Sequence, residues 1–282
     1  MYINTIKNKE ILSMRTVLIP TNFSAKAHNA TQYVVDMFAS EAIHYVLLHA
    51  YDVPYQPNEI MVSSVLETLK NEVEQNLAKE KSNLEAKVSF NHSIVSTITG
   101  IGSVMDVIRY NEEINPDFIV LATSGRREVN MFLIGSNTQQ VLKNTDIPLI
   151  VVPQGRKYKK FKNIVYGSDL KSLSQECLKP LIRLLDRTDA DLTVVHVGEL
   201  DDIQAKVSED ELKSILGDRM TAFIQYDAPE ISQGLEDCVR KVDADLLVVV
   251  DRKRTFFKRL FHHSITKTVE KNTLVPLLVL HE

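Results

Sequence analysis

The sequence is poor in cysteine: Cys177 and Cys238 are the only two among 282 residues, and neither belongs to a Cys-x-x-Cys pair. This argues against structural disulfides and against a cysteine-rich metal site. Long apolar runs are also missing, because no stretch approaches the roughly 18–20 residues of a membrane span. The segment 1–16 (MYINTIKNKEILSMRT) carries charges throughout and lacks the apolar core of a secretory signal. We therefore expect a cytoplasmic protein with no membrane partner.

The sequence also lacks a strong excess of either charge. The formal net charge is −4, and acidic residues outnumber basic ones by 15 to 10 between residues 14 and 153, whereas residues 154–282 contain 21 of each. A dedicated DNA-binding domain would show a clear basic excess. The composition therefore favours an ordinary globular protein, and a nucleic-acid partner is not expected.

What the sequence does contain is an internal repeat, which appears when the chain is compared with itself at a fixed shift. A shift of 128 residues places 245–250 (DLLVVV) on 117–122 (DFIVLA). A shift of 147 residues places 162–169 (KNIVYGSD) on 15–22 (RTVLIPTN). The difference between the two shifts indicates a deletion in the middle of the second copy.

The repeat predicts the domain boundaries: domain 1 covers residues 14–153, domain 2 covers residues 154–282, and residues 1–13 form an N-terminal extension. Each copy alternates short apolar strands with segments of helical periodicity. Such alternation predicts the α/β class, here two tandem doubly wound domains, each a five-stranded parallel sheet flanked by helices. A sheet of this kind binds its ligand at the carboxyl edge of the strands, where the strand order reverses.

Apolar runs and helical spacing locate the elements of the first copy. The predicted strands are 16–20, 43–48, 90–95, 118–122 and 149–152. The predicted helices are 24–38, 59–85, 104–113 and 136–144. Ser24 and Ser103 are expected to be N-caps. The segment 99–103 (TGIGS) lacks the third glycine of a dinucleotide loop and follows the wrong strand, so it is interpreted as a turn.

The segment 122–137 (ATSGRREVNMFLIGSN) follows the fourth predicted strand and ends at a predicted helix. Glycine lets the backbone approach a polyphosphate and take positive φ angles, so that amides can point at oxygen atoms. Gly135 and Ser136 open the helix, where unpaired amides and the helix dipole favour an anion. The Ser136 hydroxyl can donate to a phosphate or cap the helix, and the two roles are compatible. The segment is therefore a candidate phosphate loop.

Together these segments resemble the universal stress protein family, over both copies and essentially from Met14 onward. The stretch 17–34 (VLIPTNFSAKAHNATQYV) is similar to the family's first strand and helix. The family's ATP-binding pattern is Gly, two residues, Gly, nine residues, Gly, then Ser or Thr. The same spacing is occupied here by Ala122, Gly125, Gly135 and Ser136, so one of the three glycines is replaced.

The resemblance implies a set of nucleotide-binding residues in domain 1. The set is Thr21, Asn22, Ala50, Ala122, Gly125, Arg126, Gly135, Ser136 and Asn137. Asn22 corresponds to the family's ribose-contacting aspartate, and Ala50 to the small apolar residue beside the adenine. Asparagine can still bond a ribose hydroxyl, but without the charge-assisted strength of a carboxylate. ATP, accompanied by Mg²⁺, is the cofactor that this set implies.

Domain 2 departs further from the family pattern. Its residues at the three glycine positions and the serine position are Val250, Lys253, His263 and Ser264. Side chains therefore occupy the space that a phosphate-binding backbone needs. The domain 2 equivalents of the site are Asp169 for the ribose, Val197 for the adenine and Ser264 for the phosphate. Phosphate binding by backbone amides is not expected there.

Basic residues cluster in the loop 252–263 of domain 2. They are Arg252, Lys253, Arg254, Lys258 and Arg259. The cluster is either an anion or nucleic-acid patch, with Phe256 and Phe257 stacking on bases, or a solvated loop. The neutral charge of the whole domain favours the second interpretation. His262 and His263 are not expected to bind metal, because a zinc site needs further ligands.

Two other pairs of residues are expected to be structural. His49 and His196 recur at matching strand ends, where a packed and hydrogen-bonded histidine is more common than a catalytic base. Cys177 and Cys238 fall on the first and third predicted helices of domain 2, and each is expected to be a small buried residue.

Three functions remain open at this point. The first is a nucleotide-binding regulator, favoured by Gly125, Gly135 and Ser136. The second is an interaction scaffold that has lost its ligand, favoured by Ala122 and Asn22. The third is an enzyme acting on an adenylated substrate, for which no catalytic residues stand out; any ATP hydrolysis is expected to be slow, because no base is evident to orient water.

The fifth predicted strands suggest an assembly. The family usually forms dimers, and the segments 149–152 and 277–280 are expected to pair within one chain as an intrachain pseudo-dimer. Such pairing would cover two exposed strand edges that otherwise invite aggregation. A homodimer of whole chains also stays open.

Overall fold

The structure is a computed structural model, and it describes residues 14–52, 59–88, 92–111, 113–123, 136–170, 175–252 and 275–282. For residues 59–64, 136–139 and 202 only the backbone is described. The predicted extension 1–13, most of the candidate phosphate loop and most of the basic loop lie outside the described residues.

The described residues form alternating strands and helices. The strands are β1 (Arg15–Pro20), β2 (Ile43–Tyr51), β3 (Ile94–Ile101), β4 (Phe118–Thr123), β5 (Leu149–Pro153), β6 (Asn163–Gly167), β7 (Asp191–Val197), β8 (Met220–Tyr226), β9 (Leu246–Asp251) and β10 (Leu277–His281). The helices are α1 (Ala25–Met37), α2 (Glu59–Val88), α3 (Val104–Tyr110), α4 (Ser136–Asn144), α5 (Gln175–Thr188), α6 (Asp202–Leu216) and α7 (Ile231–Lys241). None of these helices has the combination of length and apolar character that crossing a bilayer requires.

Two compact units can be distinguished. The first contains the described residues up to Ala122 together with Ser136–Thr145. Its strands lie in the order β3-β2-β1-β4 and are parallel, with Leu18 opposite both Val46 of β2 and Ile119 of β4. Helices α1 and α2 share one face, since Lys87 Nζ donates to Gln32 Oε1 across 2.6 Å. Right-handed crossovers place α3 and α4 on the other face, where they contact each other.

The second unit contains Thr123 and the described residues from Asp146 onward. Its strands β10, β9, β6, β7 and β8 are parallel neighbours, so the order of the first unit is repeated. Strand β5 belongs to this unit and pairs antiparallel with β10, with Ile150 opposite Leu278. The strand pairing expected from sequence is therefore present, while the domain boundary at residue 153 stays a prediction.

The α/β class is confirmed: mainly parallel strands, with the antiparallel pair β5 and β10, are flanked by helices. The central strands are shielded on both faces, and Val17, Leu18 and Ile119 in the first unit are at most about 1% exposed. This is the near-continuous apolar pattern that parallel strands show when helices cover both sides. Cys238 on α7 is fully buried as expected, whereas Cys177 on α5 is only partly buried.

The position of β3 differs from the prediction. The predicted strand was 90–95, but β3 runs from Ile94 to Ile101, so the interpretation of 99–101 as a turn is wrong. Apolar runs did not locate β3 because most of its residues are only partly buried and several are serine or threonine. The predicted N-cap Ser103 is confirmed, with a reciprocal capping box to Asp106.

Candidate functional site

The candidate site lies at the carboxyl ends of the parallel strands of the first unit. Thr21 and Asn22 follow β1, Ala50 is the second-to-last residue of β2, and Ala122 is near the end of β4. Helix α4 begins at Ser136, as predicted, and its first turn contains no acidic residue. Asn137 is in that first turn. Gly125, Arg126 and Gly135 lie outside the described residues.

Thr21 shapes the loop after β1. It is only 5% exposed. Its N–H donates to the Leu48 carbonyl (2.8 Å), and its own carbonyl accepts from His49 Nδ1 (2.7 Å). Its Oγ1 accepts the Phe23 N–H (3.0 Å) and donates to Glu80 Oε1 (3.3 Å). Because all its polar atoms are engaged within the protein, Thr21 fixes the backbone on which Asn22 is carried.

Asn22 is exposed at this edge. Its Oδ1 accepts the Ser24 N–H at 3.3 Å, so the side-chain carbonyl is used locally. Ser24 in turn caps α1 by accepting the Ala27 N–H. The side chain expected to meet a ribose is therefore presented outward by a short capped turn.

An aromatic stack supports the same loop. Phe23 has a φ of +59°, an uncommon backbone conformation for a bulky residue, and its ring stacks on His49 with centroids 4.6 Å apart. The ring of Tyr51 is nearly parallel to that of His49, with centroids 6.5 Å apart. Since a carbonyl oxygen only accepts, the contact between His49 and Thr21 puts the proton on His49 Nδ1. His49 is thus hydrogen-bonded and packed against aromatic rings, as expected of a structural histidine.

Glu80 is a member of the site region that the sequence did not reveal. Its carboxylate is mostly buried, and Oε1 lies 2.5 Å from His28 Nε2 as well as 3.3 Å from Thr21 Oγ1. Glu80 is on α2, 59 residues after Thr21, within a helix rich in charged residues. Because nothing in its local sequence distinguishes it from its exposed neighbours, only the packing of α2 beside α1 could identify it.

Ala50, the residue expected beside an adenine, can be assigned to one face of the strands. Ala50 is in register with Gly100 of β3. A Cβ placed on Gly100 would come within 2.9 Å of Val107 Cγ2, so this face is directed at α3. In the second unit, the corresponding Val197 packs on α7 so closely that a Cβ on Gly234 would lie 2.7 Å from its methyl groups.

The second unit repeats the loop geometry of the first. The Ser168 N–H donates to Val195 (2.9 Å), and His196 Nδ1 donates to the Ser168 carbonyl (3.0 Å). The Leu170 N–H donates to Ser168 Oγ (3.1 Å), and Leu170 has a φ of +58°. Each of these residues lies 147 positions after its counterpart in the first unit. His196 is thus hydrogen-bonded as well, as expected of a structural histidine.

The exposed residue of that loop is an aspartate in the second unit, and it forms an ion pair. Asp169 Oδ1 lies 3.5 Å from Arg252 Nε, and Arg252 Nη1 lies 3.1 Å from Glu282 Oε2. Arg252 is thus part of an ion-pair cluster, while Lys253 and Ser264 lie outside the described residues. Burial raises the pKa of the nearby Cys177 thiol to about 11, with a smaller contribution from Glu282, so this cysteine stays protonated.

The fold and this loop define a doubly wound α/β protein with a candidate ligand site at the carboxyl edge of its first unit. Residues 14–153 match the family model described as the Universal stress protein family. The chain belongs to the universal stress protein family, and the resemblance found in the sequence is confirmed.

Individual relatives agree with this assignment. Universal stress protein MJ0531 of Methanocaldococcus jannaschii is 26% identical over 155 residues, which cover 54% of this chain and 89% of that protein. Universal stress protein MJ0577 of the same organism is 24% identical over 153 residues, which cover 49% of this chain and 94% of that protein.

Solved structures show that the fold extends over nearly the whole chain. A universal stress protein from Archaeoglobus fulgidus has a TM-score of 0.71 at 16% identity, covering 95% of this chain and 98% of that chain. The cytoplasmic domain of a prokaryotic cation chloride cotransporter has a TM-score of 0.53 at 10% identity, covering 95% of each chain. Because such different proteins share the fold, function has to be argued from the site.

Proposed function

We propose that the chain binds ATP or a related adenine nucleotide in its first half and acts as a regulator or sensor in a cytoplasmic stress response. The observation that carries the proposal is the arrangement of one sheet edge. Asn22 is exposed where β1 ends, and α4 begins at Ser136 after β4, the strand beside β1. The ribose and the phosphates of a nucleotide would meet these two features.

The phosphate end of the proposal rests on the start of α4. This helix has nine residues, so its first-turn amides and dipole favour an anion, and no acidic side chain in that turn opposes one. The spacing of Gly125, Gly135 and Ser136 matches the family's ATP-binding pattern, and glycine permits close approach of the backbone. Mg²⁺ would accompany a bound triphosphate and reduce its charge.

Binding without rapid turnover is the role that the described side chains favour. The Glu80 carboxylate is held by His28 and Thr21, and the Thr21 hydroxyl proton is directed at Glu80. Groups held in this way do not orient a water molecule for attack on a phosphate. We therefore place the protein among sensors, with at most slow hydrolysis.

A ligand-independent scaffold is the alternative, and two residues favour it. Ala122 replaces a family glycine, and Asn22 replaces the ribose-binding aspartate. The two roles differ in a direct observation: a sensor retains or takes up nucleotide, whereas a scaffold does not.

The proposal is tested by identifying any nucleotide released when the purified protein is denatured, followed by calorimetric titration with Mg·ATP. We expect binding by the native chain and a loss of affinity of about tenfold or more in Gly135→Val, because a branched side chain blocks the backbone approach. His263→Val, at the corresponding position of the second half, is the matched control and should bind as the native protein does. No detectable binding by the native chain would support the scaffold instead.

A further inference from the structure

The two halves of the chain differ at the residue after the first strand, both in its type and in its surroundings. Asp169 is the residue type that the family uses to contact the ribose, whereas the first half has Asn22 at this position. Two side-chain hydrogen bonds recur in the two supporting loops, and Phe23 and Leu170 have the same left-handed backbone conformation. The backbone of the loop therefore does not explain any difference in ligand binding between the halves.

The difference lies in what surrounds Asp169. The Arg252 guanidinium lies between two carboxylates, with Nε 3.5 Å from Asp169 Oδ1 and Nη1 3.1 Å from Glu282 Oε2. Its side chain is 21% exposed, and those of Asp169 and Glu282 are 46% and 28% exposed. A partly buried guanidinium shared by two carboxylates is held more firmly than an isolated surface pair, because fixing one side chain serves two contacts.

Each charged member of this cluster has an uncharged residue at the position that corresponds to it in the repeat. By the shifts of the repeat, Asp169 corresponds to Asn22, Arg252 to Ser124 and Glu282 to Gln154. One carboxylate gained alone could be a surface substitution. A cation and two anions at three positions far apart in sequence, brought together at one strand edge, indicate a built ion-pair cluster.

We propose that Arg252 excludes nucleotide from the second half, so that each chain takes one adenine nucleotide and takes it in the first half. The guanidinium forms an ion pair with the carboxylate that a ribose would need, and Glu282 forms a second ion pair with the guanidinium. The first-half part of this statement rests on the proposed function, whereas the role of Arg252 does not.

The probe for the second half is adenosine rather than ATP. Removing Arg252 leaves Asp169 and Glu282 as two carboxylates, which would repel a polyphosphate, and the loop lacks the glycines that a phosphate needs. Adenosine is uncharged and contains the ribose and base that this edge would meet. Calorimetry at saturating adenosine gives the number of sites per chain in the native protein and in Arg252→Ala.

We expect one additional adenosine site in Arg252→Ala, so that the count rises from one to two per chain. Arg252→Lys, which keeps a cation, should stay at one, and Arg252→Ala combined with Asp169→Asn should return to one. Circular dichroism and urea unfolding establish that each variant is folded, and Arg252→Gln serves as a larger neutral replacement if the alanine variant is not.

The outcomes separate this inference from the proposed function. A rise from zero to one would support the role of Arg252 while contradicting nucleotide binding in the first half. No additional site in folded Arg252→Ala or Arg252→Gln would overturn the inference. Two sites in the native chain, one of them lost in Asp169→Asn, would also overturn it.

Discussion

At the scale of single residues, a histidine in each half forms a hydrogen bond that holds the loop after the first strand. His49 and His196 each donate a ring N–H to a backbone carbonyl 28 residues earlier, at 2.7 and 3.0 Å. Their surroundings differ, since the rings of Phe23 and Tyr51 stack with His49, whereas Leu170 and Gly198 occupy the corresponding positions in the second half. The same hydrogen bond is thus present with and without an aromatic stack.

This difference predicts unequal effects of the same substitution. His49→Ala should lower the free energy of unfolding by about 1–3 kcal/mol, from a lost hydrogen bond and lost ring stacking. His196→Ala is the matched control and should lower it by about 0.5–1.5 kcal/mol, the hydrogen bond alone. Urea unfolding measures both, and a larger loss in His196→Ala would contradict the importance of the stack.

The sequence could reveal one kind of residue at this scale and not another. His49 and His196 recur at a constant shift, so their shared structural role was readable from the repeat. Glu80 and Arg252 act through contacts with Thr21 and Asp169, across 59 and 83 positions of sequence. Neither has a local pattern that points to its partner, because such contacts are set by the packing of whole elements.

At the scale of elements, the junction of β3 and α3 depends on a residue without a side chain. A Cβ on Gly100 would lie 2.9 Å from Val107 Cγ2, which is closer than side chains pack. Val107 is itself 2% exposed and has little room to move. Strand β3 therefore carries glycine where α3 crosses it.

Gly100→Ala should destabilise the protein by about 1–3 kcal/mol through overpacking. Adding Val107→Ala provides space, so the double variant should lose less stability than the sum of the two single variants. Urea unfolding of all four proteins completes the cycle. If the losses of the two single variants simply add in the double variant, position 100 and Val107 are not in steric contact, which would contradict the prediction.

The capping box at the start of α3 gives a pH-dependent prediction. Hydrogen bonds from the Ser103 side chain and then its backbone lower the pKa of Asp106 below its ordinary value of 3.8. A carboxyl with a lowered pKa stabilises the fold above the unfolded-state value, and the contribution fades as the pH falls through the lowered pKa. Ser103→Ala should cost about 0.5–2 kcal/mol at pH 7 from the lost cap.

The cost of Ser103→Ala should therefore shrink when unfolding is measured at a pH below the lowered pKa of Asp106 rather than at pH 7, because protonated Asp106 no longer benefits from the Ser103 hydroxyl. Native protein measured beside the variant at each pH is the control. A cost that is the same at both pH values would show that Asp106 gains nothing from Ser103.

The strands also show which parts of the fold could be located from the sequence and which could not. Strands β1, β4 and β5 were located within one or two residues, because burial on both faces leaves continuous apolar runs. Strand β3 was misplaced because it is only partly buried and rich in polar residues. Its identity as a strand comes from its register with β2, which no local pattern expresses.

At the scale of the whole molecule, the two halves repeat one strand order and one loop but differ in the side chain that follows the first strand and in its ion pairing. In the first half, Asn22 is exposed after β1, and the helix that follows the neighbouring strand β4 has no acidic residue in its first turn. In the second, Asp169 is engaged by Arg252. The repeat and the missing glycines were evident in the sequence, whereas the cluster that engages Asp169 required the structure.

Hydrogen–deuterium exchange with and without saturating Mg·ATP tests the central claim, that the first half holds the nucleotide between the loop after β1 and the start of α4. We predict slower exchange in peptides covering residues 20–24 and 136–140, and unchanged exchange in the peptide covering 167–170. Adenosine should protect the first peptide and leave the second unchanged, because it has no phosphate for the helix amides. Protection confined to 167–170, or none in either half at saturating nucleotide, would contradict the account.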